Sequence, residues 1–178
     1  AFDKTLQLKP KYTDARLRKG IALFTLGRFR DAIAEFDRTV RENPHNFPAH
    51  LYLARGRTAL GDDENAIVSF DQAIAINPEN VDAHFERGEA LVRREQFEEA
   101  IHAFDRVLEL DASRILAHYY RGFALDQNGN HKDAVAAFDA CLAGMPNHAP
   151  AHYQRGHALY ATGLFRDAIE AFDHAIEY

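Results

Sequence analysis

Apolar residues recur along this chain at helical spacing, in segments of roughly 12 to 14 residues that are closed by a glycine or a proline. Segments of that length, apolar at i, i+3, i+4 and i+7, read as amphipathic helices, and the short breaks between them make consecutive helices pair. The pattern also repeats. AFD at Ala1 to Asp3 returns as AIAEFD at Ala32 to Asp37, AIVSFD at Ala66 to Asp71, AIHAFD at Ala100 to Asp105, AVAAFD at Ala134 to Asp139 and AIEAFD at Ala168 to Asp173, with the aspartates 34 residues apart. A fixed period in this range means stacked supersecondary units, none of which can bury its apolar face alone.

Aligned by that period, the chain reads as a single all-α domain. Residues 1–12 are the second helix of a partial repeat, 13–46, 47–80, 81–114 and 115–148 are full repeats, and 149–178 is a last repeat without a closing helix. The first helix of the second repeat is expected from about Pro48 to Leu60, with proline tolerated in a first turn that has no intrahelical partner for its N–H. Gly27, Gly61, Gly129 and Gly163 occupy the turn within a repeat, where positive φ closes a helix at little steric cost. Glu95 stands there in the third repeat, which predicts a strained turn costing ~1 kcal/mol relative to glycine. Second helices are expected from Phe29, Asp63, Phe97, His131 and Phe165, with Asp62 and Asn130 as N-caps. Pro10, Pro44, Pro78 and Pro146 end them, because the residue before proline is disfavoured in the α region. Ala112 replaces that proline, so Leu110 to Arg114 is expected to run on helically or flex.

The same alignment predicts the core. Ala32, Ala66, Ala100, Ala134 and Ala168 are small on the second helix, and Gly20, Ala54, Gly88, Gly122 and Gly156 are small on the first, so the two are expected to approach closely. Phe36, Phe70, Phe104, Phe138 and Phe172 then fill the space between repeats, each contributing roughly 1.5 to 3 kcal/mol by burial.

Composition excludes several classes of function. A net charge of −6 argues against sequence-independent nucleic-acid binding, which requires a basic surface to displace counterions. No run of eighteen apolar residues spans a membrane and no signal peptide is visible, so a cytoplasmic location is expected. The single cysteine, Cys141, sits where other repeats carry Thr39, Ala73, Val107 and Ala175, and reads as a small buried hydrophobe.

Thirty-four residues, a small residue in the first helix, glycine at the turn, then alanine, phenylalanine and a closing proline resemble the tetratricopeptide repeat family over the whole chain. The resemblance implies a right-handed superhelical solenoid of antiparallel helix pairs, eleven helices in all, with first helices lining a concave groove that holds a peptide or partner segment. Such proteins act as protein-interaction scaffolds and need no cofactor. Two departures matter. Arg16, His50, His84, His118 and His152 replace the large aromatic that often opens the first helix, and Lys19, Arg87, Arg121 and Arg155 replace a leucine that only Leu53 keeps. The lysine and asparagine set with which chaperone-binding members clamp a C-terminal carboxylate is also missing.

Two ladders could be mistaken for chemistry. Four histidines spaced by 34 residues point the same way from helices about 8 to 10 Å apart, whereas the ligands of one zinc converge to about 2.0 to 2.1 Å, so no metal site is expected. Asp37, Asp71, Asp105, Asp139 and Asp173 share nearly one environment, while a catalytic carboxylate pair needs two, and pairing with Lys19, Arg87, Arg121 and Arg155 is expected instead. No nucleotide, redox or protease motif occurs, and no enzymatic activity is expected.

A second apolar stripe on the first helices remains. The first repeat offers Leu17, Ile21 and Phe24, and the second Tyr52 and Arg55. The third offers Phe85 with Glu86 and Glu89, the fourth Tyr119, Tyr120 and Phe123, and the last Tyr153, His157 and Tyr160. Either these rings stack between adjacent first helices, or they form a groove with an aromatic C-terminal half and an acidic middle, suited to an apolar peptide with a central basic residue. The array also reads as an excerpt, whose exposed Phe2, Leu6, Ile176 and Tyr178 would permit end-to-end homo-oligomers. A recognition arm of a larger enzyme or signalling protein is the other alternative.

Overall fold

The computed structural model describes residues 12–178, which form ten helices. They are α1 (Thr13–Thr25), α2 (Phe29–Glu42), α3 (Phe47–Ala59), α4 (Asp63–Ile76), α5 (Val81–Arg93), α6 (Phe97–Leu110), α7 (Ile115–Gln127), α8 (His131–Gly144), α9 (Ala149–Ala161) and α10 (Phe165–Glu177). The expected eleventh helix, with Phe2, Leu6 and Pro10, lies outside the described residues. Two compact units divide the chain, one ending at Ala90 and the other starting at Leu91. In the first, α1 packs on α2 and α3 on α4, while α2 also contacts α3. In the second, α7 pairs with α8 and α9 with α10, and α6 and α8 each contact the first helix that follows.

Local chemistry accounts for the helix ends. Gly27, Gly61, Gly129 and Gly163 adopt φ between 72° and 82°, and Glu95 is forced to +58° at the same turn. The side chain of Asp62 caps α4 by accepting from Asn65 N, but that of Asn130 makes no cap bond on α8. Caps not anticipated are Asn46, whose side chain accepts from Ala49 N at 3.0 Å, and His148, whose Nδ1 accepts from Ala151 N at 3.1 Å. Helix α6 ends at Leu110 despite Ala112, rather than running on. The reason is a turn that needs no proline: Asp111 Oδ1 accepts from the amide of Ser113 at 3.0 Å, as Asn43 does from His45 at 3.2 Å.

The core is the predicted one with two corrections. Phe36, Phe70, Phe104 and Phe138 are at most 1% exposed, but Phe172 is only partly buried, because among the described residues no further first helix lies over α10. The small residues of the two helices do not simply face each other either. A β-carbon on Gly122 would lie 2.8 Å from Cε1 of Phe138, and one on Gly156 2.7 Å from Cε1 of Phe172, so glycine makes room for the phenylalanine ring of its own repeat. Ala54 shares a cluster with Phe70 in the second repeat, so that ring yields to a methyl group.

Candidate functional site

The aspartate ladder is structural. Arg87 Nε donates to Asp71 Oδ1 at 2.6 Å in the first unit, and Arg121 to Asp105 and Arg155 to Asp139, both at 2.5 Å, in the second. Each pair ties a second helix to the first helix of the next repeat, 16 residues on. Leu53 breaks the series, and Asp37 instead meets Arg57 at 3.5 Å. Lys19 lies 3.1 Å from Glu35. The histidine ladder is structural too. Nε2–H of His50, His84 and His152 donates to the carbonyls of Pro44, Pro78 and Pro146 at 2.9, 2.9 and 2.7 Å, pinning each first helix to the preceding turn and fixing the tautomer. Among the described residues no three His, Cys, Asp or Glu side chains are grouped to hold a metal ion. Cys141 is fully buried, and burial pushes its thiol pKa up, away from the reactive thiolate.

In the first unit the expected groove residues form a connected wall. Leu17, Ile21, Phe24 and Tyr52 pack on the cluster of Ala32, Phe36 and Leu53. The Tyr52 ring stacks on Phe36 at 5.7 Å and meets Phe24 edge-on at 5.7 Å. Arg55 lies 5.4 Å over the Tyr52 ring and grips Glu86 with Nε and Nη2, at 2.5 to 3.0 Å. That carboxylate holds the Arg55 pKa above its ordinary value, against the opposing effect of burial. Glu86 is thereby neutralised, which lessens the acidity expected at the middle of the stripe. Phe85 is buried, so it serves the core more than the surface. Glu89 is half-buried.

In the second unit the rings divide by environment. Tyr120 stacks on Phe104 at 5.6 Å, and Tyr119 touches Tyr120, Phe138 and His148 at 5.3, 6.1 and 5.0 Å. Burial raises the Tyr119 pKa, with Cys141 adding to the shift. Phe123 packs beside them. These side chains are half-buried and pack on one another and on the core. On α9 the situation is different: Tyr153 is 50% and Tyr160 63% exposed, and His157 is exposed between them. His157 lies 5.6 Å from Tyr153, and Tyr160 meets Phe165 edge-on at 5.3 Å. Sequence reasoning missed Phe165, Leu164 and Ile169 as surface residues; aligning α10 with α8, where the counterpart Val135 packs beneath α9, would have found Ile169.

Three family models match the chain. One, described as TPR repeat, covers residues 57–94; of two described as tetratricopeptide repeat, one covers 85–150 and the other both 1–56 and 127–178. No curated protein matches the sequence. Among solved structures the chain resembles MamA at 25% identity and a TM-score of 0.85, over 89% of this chain and 92% of that one. It resembles YrrB, described as a TPR protein with an unusual peptide-binding site, at 23% identity and 0.91, over 99% and 91%. MamA from Desulfovibrio magneticus RS-1 follows the same fold at 18% identity and 0.87, over 93% of each chain.

Proposed function

The chain belongs to the tetratricopeptide repeat family, and from that premise we propose that it is a protein-interaction scaffold that holds a peptide against the outer faces of its first helices. The supporting observation is the exposure of Tyr153 and Tyr160, half or more open to solvent on a helix whose core contacts are already made by Ala151, Ala158 and Leu159. Rigid aromatic rings with a polar tip supply contact area at low entropic cost, and interfaces favour them. The ligand is apolar in its main contacts. A basic residue near its centre would meet Glu86 already held by Arg55, and so contributes less than the apolar side chains.

The test is selection from a random peptide library, followed by titration of the selected peptides against a His157→Ala, Tyr160→Ala variant. These side chains are exposed, so the variant folds, whereas truncating Tyr119 would also disturb its contacts with Phe138 and His148. Weakening by tenfold or more, about 1.4 kcal/mol, supports the reading. Unchanged affinity for every selected peptide would refute it.

A further inference from the structure

Every acidic side chain of α2 is engaged by a cation outside the helix. Asp31 is held by Arg28 at 2.6 Å, Glu35 by Arg16 and Lys19 at 3.4 and 3.1 Å, Asp37 by Arg57 at 3.5 Å and Glu42 by Arg16 at 3.2 Å. The arginines of α2 are not matched in return. Arg30 and Arg41 make no ion pair among the described residues, and Arg38, its side chain 61% exposed, comes only within 3.9 Å of the Glu35 that Arg16 and Lys19 already hold. At about 100° per residue, Arg30, Ala34, Arg38 and Arg41 fall within an arc of about 80°. All four are exposed, so they form one stripe on the side of α2 turned away from the core.

The charge is particular to α2. The three arginine positions carry Glu64, Gln72 and Ala75 on α4, and Lys132, Ala140 and Ala143 on α8. The openness is general: Lys132, Ala140 and Ala143 are exposed although α8 packs against both α7 and α9 and shares its unit with α6 and α10. This face of a second helix therefore stays open in the interior of the array. At the start of the α2 stripe, Phe29, Arg30 and Leu60 line a cleft of about 310 Å³ that closes on Gly27, Arg28 and Asp31. Leu60 is 46% exposed, and Leu26, next to Gly27, is 73% exposed. An apolar opening thus leads onto a row of guanidinium groups.

We propose that this face of α2 docks an extended acidic segment of another polypeptide, with an apolar side chain in the cleft and carboxylates on Arg30, Arg38 and Arg41. The inference concerns a second helix and does not rest on the peptide face of the first helices. Geometry sets the spacing. Arg38 and Arg41 stand about 12 and 16 Å beyond Arg30 along the helix. An extended strand rises about 3.3 Å per residue with alternate side chains on one side, so carboxylates two, four and six residues from the apolar one come alongside the three arginines. Each guanidinium presents a planar fork that matches a carboxylate. Charge selects this occupant over an anionic bilayer or a nucleic acid. The chain carries −6 overall, which repels an extended anionic surface, whereas a short segment meets mainly the field within a Debye length, about 8 Å.

The probe is a fluorescein-labelled peptide of leucine followed by alternating serine and glutamate, LSESESE, prepared also in reverse order and titrated with the 178-residue protein by fluorescence anisotropy. Saturable binding of one order is expected, weakening at high salt. It should fall at least about tenfold with the Arg30→Glu, Arg41→Glu protein, and likewise with a peptide whose leucine is replaced by serine. The Lys132→Glu, Arg166→Glu protein makes the same change in net charge at the counterparts of Arg30 on α8 and α10, and should bind as the parent does. All four positions are exposed, and circular dichroism checks that the variants stay folded. The His157→Ala, Tyr160→Ala protein should also bind the probe as the parent does, which separates this site from the face of α9. Absence of saturation in either order, equal loss with the α8 and α10 reversals, no loss on removing the leucine, or loss with the His157→Ala, Tyr160→Ala protein would overturn the proposal. So would tighter binding of phosphatidylserine vesicles or a single-stranded oligonucleotide through Arg30 and Arg41, since the occupant would then be a membrane or a nucleic acid.

Discussion

The same substitution at two equivalent positions should report how much a covering helix contributes. Phe138 and Phe172 sit against their own glycines almost identically, with ring carbons 2.8 to 3.1 Å from a β-carbon position on Gly122 and 2.7 to 3.0 Å from one on Gly156. They differ on the other side. Phe138 is sealed beneath α9, while Phe172 faces an open cavity on α10. Phe138→Ala therefore removes a fully buried ring and leaves a void, which should cost about 3 to 5 kcal/mol. Phe172→Ala removes a partly buried ring from a site water already reaches, so it loses transfer energy with little cavity cost, about 1.5 to 3 kcal/mol. The assay is urea unfolding followed by circular dichroism, fitted with intrinsic and nearest-neighbour terms, because a repeat array need not unfold in one step. Equal costs, or a larger one at Phe172, would refute the argument that burial by the following repeat sets the difference.

Three further outcomes follow from the geometry. A double-mutant cycle on Asp105→Ala and Arg121→Ala should give a coupling of about 0.5 to 1 kcal/mol, the range for a well-aligned, partly exposed pair, and thermal melts at high salt should shrink it. Glu95→Gly should raise stability by about 0.5 to 1 kcal/mol, because relief of a left-handed backbone exceeds the added entropy of the unfolded glycine; an unchanged or lower melting temperature would count against strain there. Burial, and then Arg121, hold the His118 pKa below its ordinary 6.5, so the unfolded chain binds more protons between the lowered value and 6.5. Stability from this group is complete above pH 6.5 and falls as pH drops through that window, so the His118→Asn variant should show a shallower acid loss over the same range.

The helical boundaries were legible because their determinants are local. A glycine with positive φ, a cap or an Asx-turn acts within a few residues, so the starts at Phe29, Asp63, Phe97, His131 and Phe165 could be placed from sequence. Helix α6 stops at Leu110 without the proline that the other repeats carry, because Asp111 and Ser113 make the turn themselves. The aspartate–arginine ladder was also legible, since repetition at a fixed period implies repetition of contacts. What repetition hides is the exception. Arg55 and Glu86 interlock at a separation of 31 residues, outside the aspartate–arginine series, and no periodic argument distinguishes that pair from a free charged stripe.

Burial of the stripe belonged to tertiary structure for a related reason. Tyr119 and Tyr153 occupy the same place in successive repeats, yet one is wedged against Phe138 and His148 and the other is half exposed. Local spacing tells which side of a helix a residue occupies. Whether water reaches that side depends on groups beyond the helix itself, such as His148 at the N-cap of α9, which closes over Tyr119. The chain's own pattern therefore determined the helices, their pairing and the ladder that joins them, while only the packed neighbours decided which aromatic rings were sealed from water and which stayed open to it.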